Sequence, residues 1–335
     1  ESMQIATGEY LDSLKDGFEL LHMALDSSKH HYPRDFSGAS SLPLAQVKAA
    51  TSKLTLECYF ALDQGDWIRA ARANKAQFQL ADTLQSEPDW VGQLIRNAVA
   101  AVAVESCRRL LGGNEADEEG LSELLTVVRE AMHRTSLRHA VAGERVNFLE
   151  WARPGGDFFT LDFDADYETG EWSEHWERFK VLLYRMSGLA DQDALWFLGH
   201  SRRLEASLGE DLWEHQKIVD EWQNQRPENQ GMRFAFWSKQ FTQINDRVIS
   251  KHIEMHAKLR AAHAALAVAQ YRLQHDGKLP ASLDELVPEL LAAVPIEPRS
   301  GQPFELIVTA DGFGIGRGTP VFKVQLNTPK REDSE

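Results

Sequence analysis

Apolar residues return every three or four positions through most of this chain, the spacing of amphipathic helices. Over 9–26 the stripe is Leu11, Leu14, Phe18, Leu21 and Leu25. Residues 27–43 lose the period and collect Ser, Gly and Pro, which predicts a loop. From Leu44 a second helix carries Val47, Leu54, Cys58, Ala61 and Leu62 on one face. "DQGDW" ends it: Gly65 suits a left-handed stop, and Asp66 suits the N-cap of the next helix. That helix, 67–84, presents Ile68, Ala71, Phe78, Ala81 and Leu84. Pro88 fits a first helical turn and opens a helix that runs to Leu111 and stops at Gly112-Gly113. Helices at about 120–134 and 136–152 follow, the second closed by "RPGG".

The segment "ALDQGDWIRAARANKAQFQLADTL" resembles one tetratricopeptide-type hairpin: a small residue, a Gly-Asp-aromatic turn, then Ala and Leu at helical spacing. A repeat array needs at least three such units. Residues 1–152 therefore fit either stacked hairpins in solenoid fashion or an irregular bundle. Beyond them the period changes. Phe159, Leu161, Phe163, Ala165 and Tyr167 alternate with polar residues, which predicts a strand or extended insert over 154–174. Helical spacing returns from about 175 to 225 and from 234 to 276, with Pro227 and Gly231 between the two.

The end of the chain is organised differently. Leu259, Ala262, Leu266, Ala269 and Leu273 form one continuous stripe, and Gly277 ends that helix. In "LPASLDEL", Ser282 and Glu285 stand at capping-box spacing before a short helix. Pro295 and Pro298 fix an extended loop, and "QPFELIVTADGFGIG" reads as a hairpin turning at Asp311-Gly312. "GFGIGRG" lies between strand signals and not before a helix, so it predicts a hairpin turn and not a phosphate cradle. Leu283, Leu286, Leu290, Phe304 and Leu306 are expected to bury together against the 244–276 helix.

This order resembles the globular region of type II secretion pseudopilins of the major, G-type class. The matching positions are Tyr271, Gly277, Pro280, Leu283, Leu286, Pro295, Pro298, Gly301 and Pro303, within residues 258–316. The family's apolar membrane segment is not in the sequence, and Glu297 stands where the family has Asp before the second loop proline. The chain as a whole resembles uncharacterised bacterial proteins that join a membrane anchor and helical hairpins to this same tail. The resemblance implies a small α/β module with an antiparallel hairpin, an extracytoplasmic or periplasmic location, and an anchor absent from this chain. The opening "ESMQIATGEY", without an initiator methionine, fits that expectation. The fold class expected is mainly α, with stacked helical hairpins and a small C-terminal α/β segment. The boundaries are 1–243 for the helical part, 244–326 for the long helix and tail module, and 327–335 for a frayed end.

Composition narrows the partners. The net charge of −15 argues against nucleic acid and anionic membrane surfaces. No run of about 18 apolar residues is present to span a membrane. The two cysteines, Cys58 and Cys107, sit in apolar helical contexts and read as buried thiols or as one disulfide.

Three constellations carry candidate chemistry. Asp162, Asp164, Asp166 and Glu168 have the alternation of a calcium loop, but Tyr167 replaces its glycine and Ser173 its final glutamate, so a solvated acidic face is expected. His252, His256 and His263 share one helix face, and imidazoles four apart can share a metal. Ile253 stands where a zincin has glutamate, and Lys251, Lys258 and Arg260 are interleaved, so an exposed face is expected. Seven of nine tryptophans fall in 151–237, where Glu171, Glu174 and Glu177 stand beside Trp172 and Trp176. Those carboxylates are the candidate catalytic groups, and the two indoles the candidate ligand-binding groups, of a glycan-type cleft. Nucleophile-elbow, Walker, C-x-x-C and dinucleotide motifs are absent. The expectation is a non-catalytic binding or scaffolding protein without a cofactor, whose partner is a protein or cell-envelope component. The alternative is a hydrolase of glycan or peptide with its site in 150–240.

Overall fold

The computed structural model describes residues 2–27, 30, 32, 43–113, 116–133, 137–152, 183, 186–208, 217, 221 and 237–326. Among these the chain forms nine α-helices and a three-stranded antiparallel sheet at its C-terminal end. The helices are α1 (Ser2–Ser13), α2 (Lys15–Leu25), α3 (Leu44–Asp63), α4 (Trp67–Asp82), α5 (Trp90–Gly112), α6 (Glu118–His133), α7 (Arg138–Ala152), α8 (Leu189–Ser207) and α9 (Trp237–Gln274). A 3-10 helix (Leu283–Leu286) leads to β1 (Glu305–Thr309), β2 (Gly312–Arg317) and β3 (Thr319–Gln325).

Local chemistry accounts for most of the boundaries. The first stripe begins earlier than its spacing suggested and is divided at Leu14, whose φ of −99° and ψ of 0° leave the helix. Gly65 takes the expected left-handed φ of 73°. Asp66 caps α4 by accepting from the Arg69 backbone N–H at 3.0 Å. The next helix starts later than Pro88 implied: Asp89 is its N-cap, accepting from Gly92 N–H, and Trp90 its first residue. On α4 Trp67 and Phe78 are buried, and Ile68, expected inward, is exposed. One position is about 100° on a helix, which is enough to turn Ile68 away from the face carrying Ala70, Ala71 and Phe78.

α3 packs on α4, α4 on α5, and α6 on α4. α9 then returns from more than a hundred residues along the chain to pack against both α5 and α6. Every residue of α9 from Ala261 to Gln270 is buried. That stretch, "AAHAALAVAQ", is alanine-rich, and small side chains let neighbours approach a helix on all sides. A helix apolar all round belongs at the centre of a core.

The tail docks on the same core. Leu283, Leu286 and Phe304 are buried, and Leu290 and Leu306 pack partly buried against the cluster that includes Leu259, Ala262 and Leu266 of α9. Leu273, the last position of the expected stripe, is exposed, on the turn where Gln274 still reaches Glu118 of α6. The core therefore runs across the 243/244 boundary, which falls inside α9. Ser282 Oγ accepts from Asp284 N–H at 3.2 Å, while the Glu285 carboxylate reaches back to Ala281 N–H at 3.1 Å. "GFGIGR" is not a turn but the central strand β2. The residues between β1 and β2 are Ala310 and Asp311, and the next bend holds Gly318 at φ 71°. In β2, Phe313 and Ile315 face the core. A Cβ at Gly316 would lie 2.3 Å from Thr319 O, so that face has no room for a side chain. β3 rests on α5 and α9.

Both cysteines are free thiols in this core with no exposed surface. Burial pushes the Cys58 thiol up to about 12 and raises Cys107 further. No described helix is long and apolar enough to cross a membrane.

Two glycines test the packing. A Cβ at Gly143 in α7 would lie 1.8 Å from Pro88 O, whereas one at Gly199 in α8 meets nothing within 4 Å. Gly143→Ala is expected to destabilise by at least about 2 kcal/mol through overpacking. Gly199→Ala is expected to stabilise by roughly 0.5–1 kcal/mol through helix propensity. Thermal melts of the two variants check the contrast; equal midpoints would contradict the close approach of α7 to the α4–α5 corner.

Candidate functional site

α5 and α9 each pass through two apolar clusters. Their C-terminal parts lie in the large core with α3, α4 and α6. Their N-terminal parts, through Trp90, Val248, Ile249 and Ile253, join Leu137, Ala140 and Val141 of the α7 region and Leu204 and Leu208 of the α8 region. Between the clusters both helices carry buried polar residues: Gln93 and Arg96 on α5, and His252 and His256 on α9. The α4–α5 corner adds Thr83, Glu87 and Asp89. Buried groups of this kind are costly unless satisfied, so a layer of them is the leading candidate for a site.

Its centre is an ion pair. Arg96 Nη2 lies 3.3 Å from Asp82 Oδ1, with both side chains almost wholly enclosed. Gln93 donates through Nε2 to the carbonyls of Leu84, Gln85 and Glu87, at 3.3, 3.3 and 3.0 Å, and so closes the corner. The rings of His252 and His256 are 4.5 Å apart, one helical turn from each other. Asp82, Arg96, Asn97 and His256 line a cavity together with Phe78, Ala100, Met255 and Leu259. The space open to the centre of a water molecule is ≈ 10 Å³, about enough for one water.

The histidines correct the expectation from sequence. His252 and His256 are each 1% exposed and His263 is buried too, so they do not form a solvent face. The solvent stripe is Arg247, Lys251, Glu254 and Lys258. There Glu254 accepts from both lysines at 2.9 Å, and they hold its carboxyl down at about 2. The interleaved cations hid a buried face one position away. Among the described residues no group of three or more His, Cys, Asp or Glu is placed to hold a metal ion. Asp162, Asp164, Asp166, Glu168, Glu171, Trp172, Glu174, Trp176 and Glu177, and the strand or insert expected over 154–174, lie outside the described residues.

Asp82, Arg96 and Asn97 were not singled out from sequence. A signal was there: Arg96 falls at helical spacing with Gln93, Val99, Ala100 and Ala103, on the buried stripe of α5. A charge on an apolar stripe marks a buried polar site.

α8 contributes a second buried imidazole environment. His200 stacks on Trp196 with centroids 4.6 Å apart and is 2% exposed. Burial, then the nearby Arg203 charge, lower its pKa to about 4.

Two outcomes follow from these environments. The unfolded chain binds the His200 proton near 6.5 and the folded chain near 4. This contribution is therefore complete above about 6.5 and is lost as pH falls toward 4, up to roughly 3 kcal/mol. Denaturant titrations across that window should show a shallower pH dependence for His200→Gln. Separately, Arg96→Met leaves the buried Asp82 carboxylate without its guanidinium and is expected to cost about 3–5 kcal/mol, read as a lower denaturation midpoint; a change under about 0.5 kcal/mol would mean the pair is solvated.

No family model, curated protein or solved structure matches the chain.

Proposed function

We propose that this chain is a non-catalytic, extracytoplasmic binding or scaffolding protein, tethered to a membrane by an anchor outside the sequence, whose partner is a protein of the cell envelope. The observation that carries this reading is apolar surface at the N-terminal end. α1 and α2 bury Leu11, Phe18 and Leu25, yet carry Met3, Ile5, Tyr10, Leu20 and Met23 exposed, at 81%, 61%, 46%, 63% and 67%. Large apolar side chains left exposed on two adjoining helices support a protein contact, and methionine adapts to varied partners. The α3–α4 hairpin turns at Gly65 and Asp66, and the likeness of its sequence to one tetratricopeptide-type unit supports a role in presenting helical surface. Enclosure supports the same reading. The Asp82–Arg96–His256 cavity has room for about one water, so its polar groups do not meet a substrate there. The location rests on the likeness of the tail to pseudopilin globular regions.

A photo-crosslinking residue placed at Leu20 in the full-length protein, in its own cells, tests the surface. The expected result is one adduct of defined mass whose purified partner binds the chain directly, with binding lost in Leu20→Glu/Met23→Glu at an unchanged melting temperature. Protease added to cells with a permeabilised outer envelope should digest the protein. Absence of a discrete adduct, or glycan or peptide hydrolysis that disappears in Glu174→Gln, would replace this reading with the hydrolase.

A further inference from the structure

The cavity between α4, α5, α6 and α9 brings together two independent features. Its open space, ≈ 10 Å³, is close to the minimum that holds one water molecule. Asn97 lines it, and Asn97 Nδ2 is sealed from solvent with no hydrogen-bond partner in the protein. Native interiors seldom leave an amide donor in that state, and ordered water is the common remedy. Small cavities lined only by apolar groups stay dry, but here the lining includes Asp82, Arg96, Asn97 and His256.

We infer that this cavity is a binding site for a single structural water, which accepts from Asn97 Nδ2 and donates to the Asp82 carboxylate, with the His256 ring as its third neighbour. Asp82 Oδ1 faces Arg96 Nη2 at 3.3 Å, and the two oxygens of a carboxylate accept several hydrogen bonds at once. A water in this place has the two to four polar partners that buried waters need. It ties the end of α4, the middle of α5 and the middle of α9 together at one point. The polar layer between the two apolar clusters then continues from Asp82 to His256 instead of ending at Asn97.

A crystal structure of the chain, at a resolution that shows individual waters, tests the site directly. The expected result is one ordered peak in the cavity within hydrogen-bond distance of Asn97 Nδ2 and of the Asp82 carboxylate, with a displacement factor like that of the surrounding side chains. In solution, magnetic relaxation dispersion of water oxygen should count one fewer long-lived water in Asn97→Leu than in the wild type, and the variant should melt several degrees lower. A clear map without a peak there, or with the Asn97 amide bonded to a protein acceptor, overturns the inference. So does Asn97→Leu with an equal or higher melting temperature and an unchanged count of long-lived waters. The wild-type map decides the question even if the variant does not fold.

Discussion

Ten consecutive residues of α9, from Ala261 to Gln270, have no solvent face, and the helix they belong to joins α5, α6, the 3-10 helix and the sheet into one core. A helix satisfies its own backbone hydrogen bonds, so enclosing it on every side leaves few backbone groups unpaired. What limits enclosure is width. With long side chains all round, a helix is about 10–12 Å across and keeps its neighbours apart. Six alanines in this stretch remove that obstacle. α5 and α6 close on one part of the circumference, and β2, β3 and the 3-10 helix close on another. The tail module is therefore part of the main core and not an appendage. Its largest apolar residues, Phe304, Phe313, Phe322 and Leu286, share one cluster with Phe78 and Leu110 of the helical body.

A second constraint is the polar layer that interrupts the path of α5 and α9 between the two clusters. An ion pair inside a protein is a weak source of stability, because desolvation offsets the attraction. Its stronger effect here is on alignment. Sliding α5 against α4 by one residue would carry the Arg96 guanidinium away from Asp82 and leave it beside the apolar residues of α4 around that site, Phe78 and Ala81. Leaving that charge among apolar neighbours costs several kcal/mol (about 3–5 when a buried partner is lost). Gln93 acts in the same direction, because its amide donates to three carbonyls of one corner, contacts that a shift along the helix would break. Leu54 and Phe78 fill space in the large core; Asp82, Arg96 and Gln93 set register.

These two constraints bear on function by deciding what faces out. The buried layer encloses Arg96, His252 and His256, while α1 and α2 leave apolar side chains at the surface. On the surface of α9 facing away from the core, Glu254 stands between Lys251 and Lys258. Exposed pairs of that kind contribute little to stability, and they keep that flank soluble.

Much of the local architecture was legible in the sequence. Periodicity placed the helices, because burial of one face imposes a 3.6-residue repeat whatever the neighbours are. Asp66, Gly65, Gly277 and Ser282 marked ends correctly, because caps and left-handed bends depend on residues within a few positions of each other. The burial of Leu283, Leu286 and Phe304 was readable for the same reason. Tertiary structure alone decided the rest. Ile68 turned outward and Trp67 inward because α4's neighbours choose its buried face within a 100° step. "GFGIGR" became a central strand because β1 and β3 pair on both its edges, a contact that no local glycine pattern encodes. His252 and His256, read from their charged sequence neighbours, are instead enclosed, in a layer with Asp82 and Arg96 more than 150 residues earlier in the chain. Spacing along one helix reports which side chains share its face; which face is covered, and by what, depends on helices brought together across the whole chain.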